Sequence, residues 1–97
     1  MTQAPRLTVR DRPEAARFEA VDEAGTVAGF AAYRREADRV VFTHTEVDGA
    51  FEGHGVGSTL VRAALDAVRA EGLRVVPQCP FVRAWIKSHP DYADLTA

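Results

Sequence analysis

The segment 52–58, EGHGVGS, places three glycines at alternate positions directly before a stretch of helical periodicity. Glycine costs about 1 kcal/mol relative to alanine inside a helix, so this repetition indicates a need for bare backbone. The free N–H groups and the dipole of a helix N-terminus bind anions such as phosphate or pyrophosphate. A tight turn packed on a sheet would also account for the glycines. The candidate anion-binding residues are Gly53, His54, Gly55, Val56, Gly57 and Ser58.

Three side chains outside this loop are suited to catalysis. Cys79 precedes Pro80, which favours the first turn of a helix, and a helix N-terminus favours the nucleophilic thiolate. His44 and Glu46 are two residues apart in a predicted strand, so they share one face, where either could act as a general base. The structural alternatives are a small buried cysteine and a solvated or hydrogen-bonded polar pair.

Composition limits the other possibilities. The chain of 97 residues is long enough for one domain but not for two, and its formal net charge of −2 gives no reason to expect a nucleic-acid or membrane partner. The single cysteine excludes an internal disulfide, and no residue cluster has metal-ligand spacing, so we predict no metal. The N-terminal residues lack the apolar region of a secretory signal, and the expected location is the cytoplasm.

The elements that must position these residues follow from hydrophobic periodicity. Strands are expected over 7–10, 16–21, 26–35 and 39–47, with the middle pair forming a hairpin and the last three strands a β-meander. An apolar stripe of Leu60, Val61, Ala64, Leu65 and Val68 predicts a helix over 56–71, which Gly72 would end.

A fifth strand is expected over 73–77, and a second, short helix begins at Pro80, with Trp85 in the core. Because a helix connects the fourth and fifth strands, these two strands should run parallel. The predicted class is therefore α/β with a mixed sheet.

Three segments together resemble a known family: HTEV at 44–47, FEGHGVGSTLVRAALDAV at 51–68 and VVPQCPFVRAWIKSHPDY at 75–92. They are similar to the small yjdJ-type branch of the GNAT superfamily of acetyl-CoA-dependent N-acetyltransferases. The superfamily's acyl-CoA loop reads [Gln/Arg]-x-x-Gly-x-[Gly/Ala]. Gly55 and Gly57 match this pattern, whereas Glu52 departs from it and brings an acid close to the expected pyrophosphate.

The resemblance implies a minimal GNAT-like sheet that forms a single acyl-CoA-binding domain over 1–97. It also implies that the fourth and fifth strands splay apart and that the pantetheine arm of acetyl-CoA pairs with the backbone of the fourth strand. That pairing makes Thr45 and Val47 cofactor-binding residues, although the Thr43 and Thr45 side chains are expected to be structural. Cys79 would be a nucleophile or a neighbour of the thioester, and His44 or Glu46 the general base.

The implied activity is that of an acyltransferase, which moves an acetyl group from acetyl-CoA to a primary amine on an unknown small molecule or protein. Only DRPEA separates the first two strands, where longer members carry one or two helices. The acceptor site is therefore expected to be shallow, open or completed by a partner. A non-catalytic CoA-binding module and a small interaction domain are the alternatives.

Overall fold

The computed structural model describes residues 6–96 and contains a five-stranded sheet whose strand order follows the chain. The strands are β1 (Thr8–Arg12), β2 (Arg17–Val21), β3 (Val27–Glu36), β4 (Arg39–Val47) and β5 (Arg74–Pro77). The first four strands pair antiparallel, and β5 pairs parallel to β4. The α-helices are α1 (Val56–Ala70) and α2 (Pro80–Ser88). The predicted mixed α/β sheet, with its parallel fifth strand, is confirmed.

Several boundaries differ from the prediction. β1 continues through Asp11 and Arg12, which pair with β2, where the prediction ended the strand at residue 10. Ala16 was expected to open the second strand, but its φ of 52° is left-handed, so β2 begins at Arg17. The first strand also joins the antiparallel series, which therefore has four strands rather than three. Both ends of β3, the starts of β1 and β5 and the end of α1 each differ by one residue, as fraying ends commonly do.

The apolar core lies between one face of the sheet and the two helices. The predicted stripe of α1 is buried from Val56 to Val68, and α2 contributes Val82, Trp85 and Ile86. Trp85 is in the core, as predicted, with 6% of its surface exposed. The sheet contributes Phe18, Ala20, Ala31, Tyr33, Val40 and Phe42. Within residues 6–96, neither helix combines the length and apolar character that a membrane crossing requires.

The opposite side of the sheet, here termed the polar face, carries charged side chains around the ring of Phe30. Strand alternation places every second residue on this side. One cross-strand row, read from β1 to β4, consists of Arg10, Glu19, Phe30 and Glu46. The next row consists of Arg12, Arg17, Ala32 and His44.

A β-bulge in β4 decides which of its side chains reach the polar face. Ala32 pairs with His44 while Tyr33 pairs with Phe42, so Thr43 is the extra residue. Unbroken alternation would place Phe42 and His44 on the same face. With the bulge, Phe42 is buried in the core and the His44 ring lies 6.1 Å from that of Phe30.

The C-terminal segment Pro90–Thr96 packs on the helices through Tyr92. The Tyr92 hydroxyl donates to the Asp66 carboxylate at 2.8 Å and accepts from Arg62 at 3.4 Å. The hydrogen bond to Asp66, together with burial, raises the pKa of Tyr92 above its ordinary value of 10.0. A raised pKa means that the folded protein holds this proton more tightly than the unfolded chain does.

The stability due to Tyr92 should therefore be complete below about pH 10 and should be lost as the pH rises through the raised pKa. We expect the free energy of unfolding to fall less steeply above pH 10 in Tyr92→Phe than in the unmodified protein. Urea denaturation at a series of pH values measures this difference. Equal slopes in the two proteins would contradict the prediction.

Candidate functional site

The glycine loop joins β4 to α1 in a left-handed conformation. Gly53 has φ 83°, and Gly55, the N-cap of α1, has φ 68°. A Cβ built at either glycine would have no heavy atom within 4 Å. The amides of the first helical residues have no acceptor within the helix, because the helix begins there. These glycines thus combine a backbone conformation that glycine favours with open space beside free amides, which fits an anion.

A pocket of about 310 Å³ lies against this loop. It is bounded by the end of β4 at Val47, by Phe51, by Phe81 at the start of α2, and by most of the segment 52–58. The predicted cofactor-binding residues that line it are Val47, Gly53, Gly55, Val56, Gly57 and Ser58. His54 and Thr45 are absent from its lining. Glu52 contributes to the wall, so the acid that departs from the superfamily motif does stand beside the expected anion.

Gly57 is bare for a different reason from the other two loop glycines. It is helical and buried, and a Cβ at this position would lie 2.6 Å from Cζ of Phe81. Phe81 is 45% exposed, so its ring covers Gly57 from the solvent side. The sequence predicted that glycine makes room for a phosphate here. The structure shows that Gly57 also makes room for the Phe81 ring.

Ser58 has a partner that sequence reasoning did not find. The indole Nε1 of Trp85 donates to Ser58 Oγ at 2.9 Å. An indole N–H is only a donor, so the Ser58 oxygen accepts and its own proton stays available for a second hydrogen bond. Trp85 therefore fixes the position of a hydroxyl at the wall of the loop pocket.

The ladder between β4 and β5 is short and ends beside Cys79. Phe42 and Pro77 form its last pair, and the Cys79 amide then donates to the Phe42 carbonyl at 2.9 Å. The chain turns into α2 with Cys79 as the N-cap, while β4 continues to Val47. Cys79 is 4% exposed, and its Sγ lies 3.3 Å from Thr45 Oγ1. The thiol thus lies at the start of the gap between β4 and α2.

His44 and Glu46 lie on the other side of β4. His44 Nε2 is 3.5 Å from Glu46 Oε2, and both side chains are 61% exposed. Thr45, between them in sequence, points towards Cys79. The structure therefore brings the two predicted base candidates together, but it places them across the strand from the predicted nucleophile.

A second pocket, of about 260 Å³, lies on the polar face beside Glu46. Its other lining residues include Arg17, Phe30, Val47 and Asp48. Val47 lines both pockets, so the end of β4 separates them. Sequence reasoning missed Arg17, Phe30 and Asp48 as site residues. The alternation of Arg17 and Glu19 opposite Phe18 and Ala20 was the available signal, but the pocket draws on three strands.

Among residues 6–96, no group of three or more His, Cys, Asp or Glu side chains is arranged to hold a metal ion.

Comparison with known proteins identifies the family. Residues 17–95 match the family described as GCN5-related N-acetyl-transferase. The chain belongs to this family. Its membership confirms the predicted GNAT superfamily and the class of N-acetyltransferases, whereas the yjdJ-type branch stays a prediction.

Similar proteins include Protein NATD1 of Bos taurus, 37% identical over 59 residues that make up 60% of this chain and 52% of that protein. Protein NATD1 of Homo sapiens is 36% identical over 59 residues, with the same coverage. The chain thus matches about half the length of these curated relatives.

The fold is also found in a solution structure from Staphylococcus aureus, a GCN5-like protein proposed to be an N-acetyltransferase. The TM-score is 0.70 at 20% identity, and the match covers 99% of this chain and 91% of that one.

Replacing Gly57 by alanine tests the contact with Phe81. We expect Gly57→Ala to destabilise the protein by about 1 kcal/mol, because the new methyl group must displace the ring. In a Phe81→Ala background the same change should stabilise by roughly 0.5–1 kcal/mol, since alanine is the better helix former. Denaturant unfolding of the four proteins of this cycle gives both values. An equal loss of stability in both backgrounds would show that the ring does not impose the glycine.

Proposed function

We propose that the chain is a single domain that binds acetyl-CoA and transfers the acetyl group to a primary amine. The observation that carries the proposal is the pair of pockets divided by the end of β4, one beside free helix amides and the other beside Glu46. Family membership supports acetyl transfer as the reaction class. The yjdJ-type branch and a cytoplasmic location are part of the same proposal.

The loop pocket suits the cofactor's pyrophosphate. The amides of Val56 and Gly57 and the hydroxyl of Ser58 would supply its hydrogen bonds, because they stand at the open start of α1. Beyond Phe42, β4 has no further pairing with β5, so the backbone near Thr45 and Val47 would pair with the pantetheine arm. Glu52 opposes binding by charge, but it is exposed, so the high dielectric constant of the surrounding water weakens the repulsion.

Bound acetyl-CoA supplies a thioester carbonyl that accepts a nitrogen lone pair, so that a C–N bond forms and the C–S bond breaks with the electron pair leaving on sulfur. Glu46 would accept the proton that the amine loses, directly or through a water molecule. His44 contacts Glu46 and would orient its carboxylate. Cys79 and Thr45 lie on the cofactor side of β4, where we place the thioester. We propose direct transfer, with Cys79 as a neighbour of the reacting group.

Cofactor binding is tested by Gly55→Asn. Asparagine tolerates the left-handed conformation, so the change adds a side chain at the proposed anion site with little backbone strain. We expect the Kd for acetyl-CoA to rise about tenfold or more, as for the loss of a charge-assisted hydrogen bond. Isothermal titration calorimetry measures the change.

Gly25→Asn is the matched control, because Gly25 has φ 85° in the β2–β3 turn and also has open space around its Cβ position. It should bind acetyl-CoA as the unmodified protein does. Undiminished binding by Gly55→Asn would place the pyrophosphate elsewhere, and no binding by the unmodified protein would remove the proposal.

The proposed base is tested by Glu46→Gln. We expect kcat to fall by about 10²–10⁴-fold, the usual contribution of a general base, with the Kd for acetyl-CoA unchanged. Release of free CoA in the presence of an amine measures kcat. A protein that binds acetyl-CoA but transfers nothing would match the alternative of a CoA-binding module. A larger loss in His44→Gln than in Glu46→Gln would instead assign the base to His44.

The unmodified protein and Cys79→Ala together distinguish direct transfer from a relay through Cys79. Incubation with acetyl-CoA alone should leave the intact mass unchanged if transfer is direct. An added acetyl group that Cys79→Ala abolishes would show an acetyl-cysteine intermediate and contradict this part of the proposal.

A further inference from the structure

We infer that the acceptor is a short aliphatic amine that also carries a carboxylate. The inference rests on the proposed function and concerns the polar-face pocket, which is basic at one end and acidic at the other. It goes beyond a primary amine in general, because it assigns a second charged group to the acceptor.

The basic end is Arg17, which lines the pocket and belongs to a cluster of three arginines around a buried carboxylate. Glu19 is 3% exposed, and its carboxylate oxygens lie 2.7 Å from Arg17, 3.4 Å from Arg12 and 3.5 Å from Arg10. Arg12 also pairs with Glu14. These three arginines face two carboxylates, so the cluster keeps a positive charge. The three arginine side chains are between 32% and 48% exposed, which leaves them within reach of an anion from solvent.

The acidic end is formed by Glu46 and Asp48, which both line the pocket. Asp48 accepts a hydrogen bond from the Ala50 amide, and Glu46 contacts only His44 among its described ion pairs. An amine approaching Glu46 therefore meets two carboxylates. This end is also the one next to Val47, which lines both pockets.

The two ends are separated by one strand. Neighbouring strands lie about 4.8 Å apart, so the backbones of β2 and β4 are about 10 Å apart, and side chains from both reach over the strand between them. That strand presents Phe30, whose ring centroid lies 4.5 Å from the guanidinium carbon of Arg17. Because Arg17 lies over this ring, the apolar surface for a few methylene groups is the uncovered part of Phe30 together with Val27.

This arrangement discriminates between classes of amine. An amino acid whose amine is separated from its carboxylate by a short methylene chain would satisfy both ends. A simple alkylamine would leave the arginines without an added partner. A diamine would place its second ammonium group against like charge, which disfavours binding.

Three acceptors with carbon chains of equal length test the inference: γ-aminobutyrate, butylamine and putrescine. With acetyl-CoA as donor, we expect kcat/KM for γ-aminobutyrate to exceed that for each of the others by about tenfold or more, the gain typical of a charge-assisted hydrogen bond. Titration of the three amines into the protein with CoA present gives the same comparison for binding alone.

The preference is the ratio of kcat/KM for γ-aminobutyrate to kcat/KM for butylamine or putrescine. Two substitutions should change this preference in opposite directions. Arg17→Gln should reduce it, because the basic end loses charge at the pocket wall. Glu19→Gln should increase it, because the arginines lose their own carboxylate, and a merely structural role for Glu19 would not produce that increase. Arg34→Gln is the matched control, since Arg34 is 57% exposed, pairs with Glu36 and is outside the pocket lining. It should leave the preference unchanged.

The outcomes separate this inference from the function on which it rests. If acetyl-CoA binds and amines are acetylated with equal or reversed preference, the inference is overturned and the acetyltransferase stands. If turnover is undetectable, tightest binding of γ-aminobutyrate supports the inference, and any other order or an absence of binding overturns it. If acetyl-CoA does not bind at all, both proposals fail.

Discussion

The parallel ladder between β4 and β5 stops after four residue pairs, and the arrangement of both pockets depends on that stop. β4 pairs with β3 from Arg39 to Val47, except at the bulged Thr43, so it continues after β5 has ended. On its other side the Cys79 amide makes the last bond, to Phe42, and the chain turns into α2. Backbone polar groups need partners, so the free side of β4 suits an extended ligand that can supply them.

The bulge at Thr43 gives this free segment two chemically different faces. Before the bulge, Val40 and Phe42 face the core; after it, Thr45 takes over that side and contacts Cys79. His44 and Glu46 are thereby turned to the polar face. In the proposed reaction the cofactor would enter on one side of β4 and the acceptor on the other. The amine nitrogen and the thioester carbonyl must still meet, and the edge of β4 beyond Phe42, which β5 does not cover, would provide the opening between the two sides.

Much of the fold was predictable because its signals are local. The apolar stripe placed the start of α1 at Val56, the residues of β4 fixed its bounds, and the connecting helix implied a parallel β5. The bulge was not predictable, because Thr43 is an ordinary strand residue and the extra position exists only relative to β3. The contact of Trp85 with Ser58 joins residues 27 apart, and no local pattern indicates it. The candidate site was likewise predicted where it is contiguous, in the loop, and missed where it spans three strands.

The three loop glycines show that the presence of glycine at a position does not by itself reveal why glycine is needed there. Gly53 and Gly55 have positive φ and open surroundings, whereas Gly57 is helical and covered by Phe81. The regular spacing of the glycines therefore has two separate causes. Gly53 and Gly55 meet a requirement of backbone conformation, which concerns an anion, whereas Gly57 leaves room for a packed ring.

The net charge of the chain likewise does not reveal the local charge at each pocket. A formal net charge of −2 conceals an arginine cluster on β1 and β2 and an acidic end on β4. Because water and salt screen exposed charges over about 10 Å, each pocket responds to the groups in its own wall. The loop pocket therefore has both free helix amides and the carboxylate of Glu52 in its wall, and the polar-face pocket, with Arg17 and Glu46 in its wall, can favour a zwitterion although the chain as a whole is acidic.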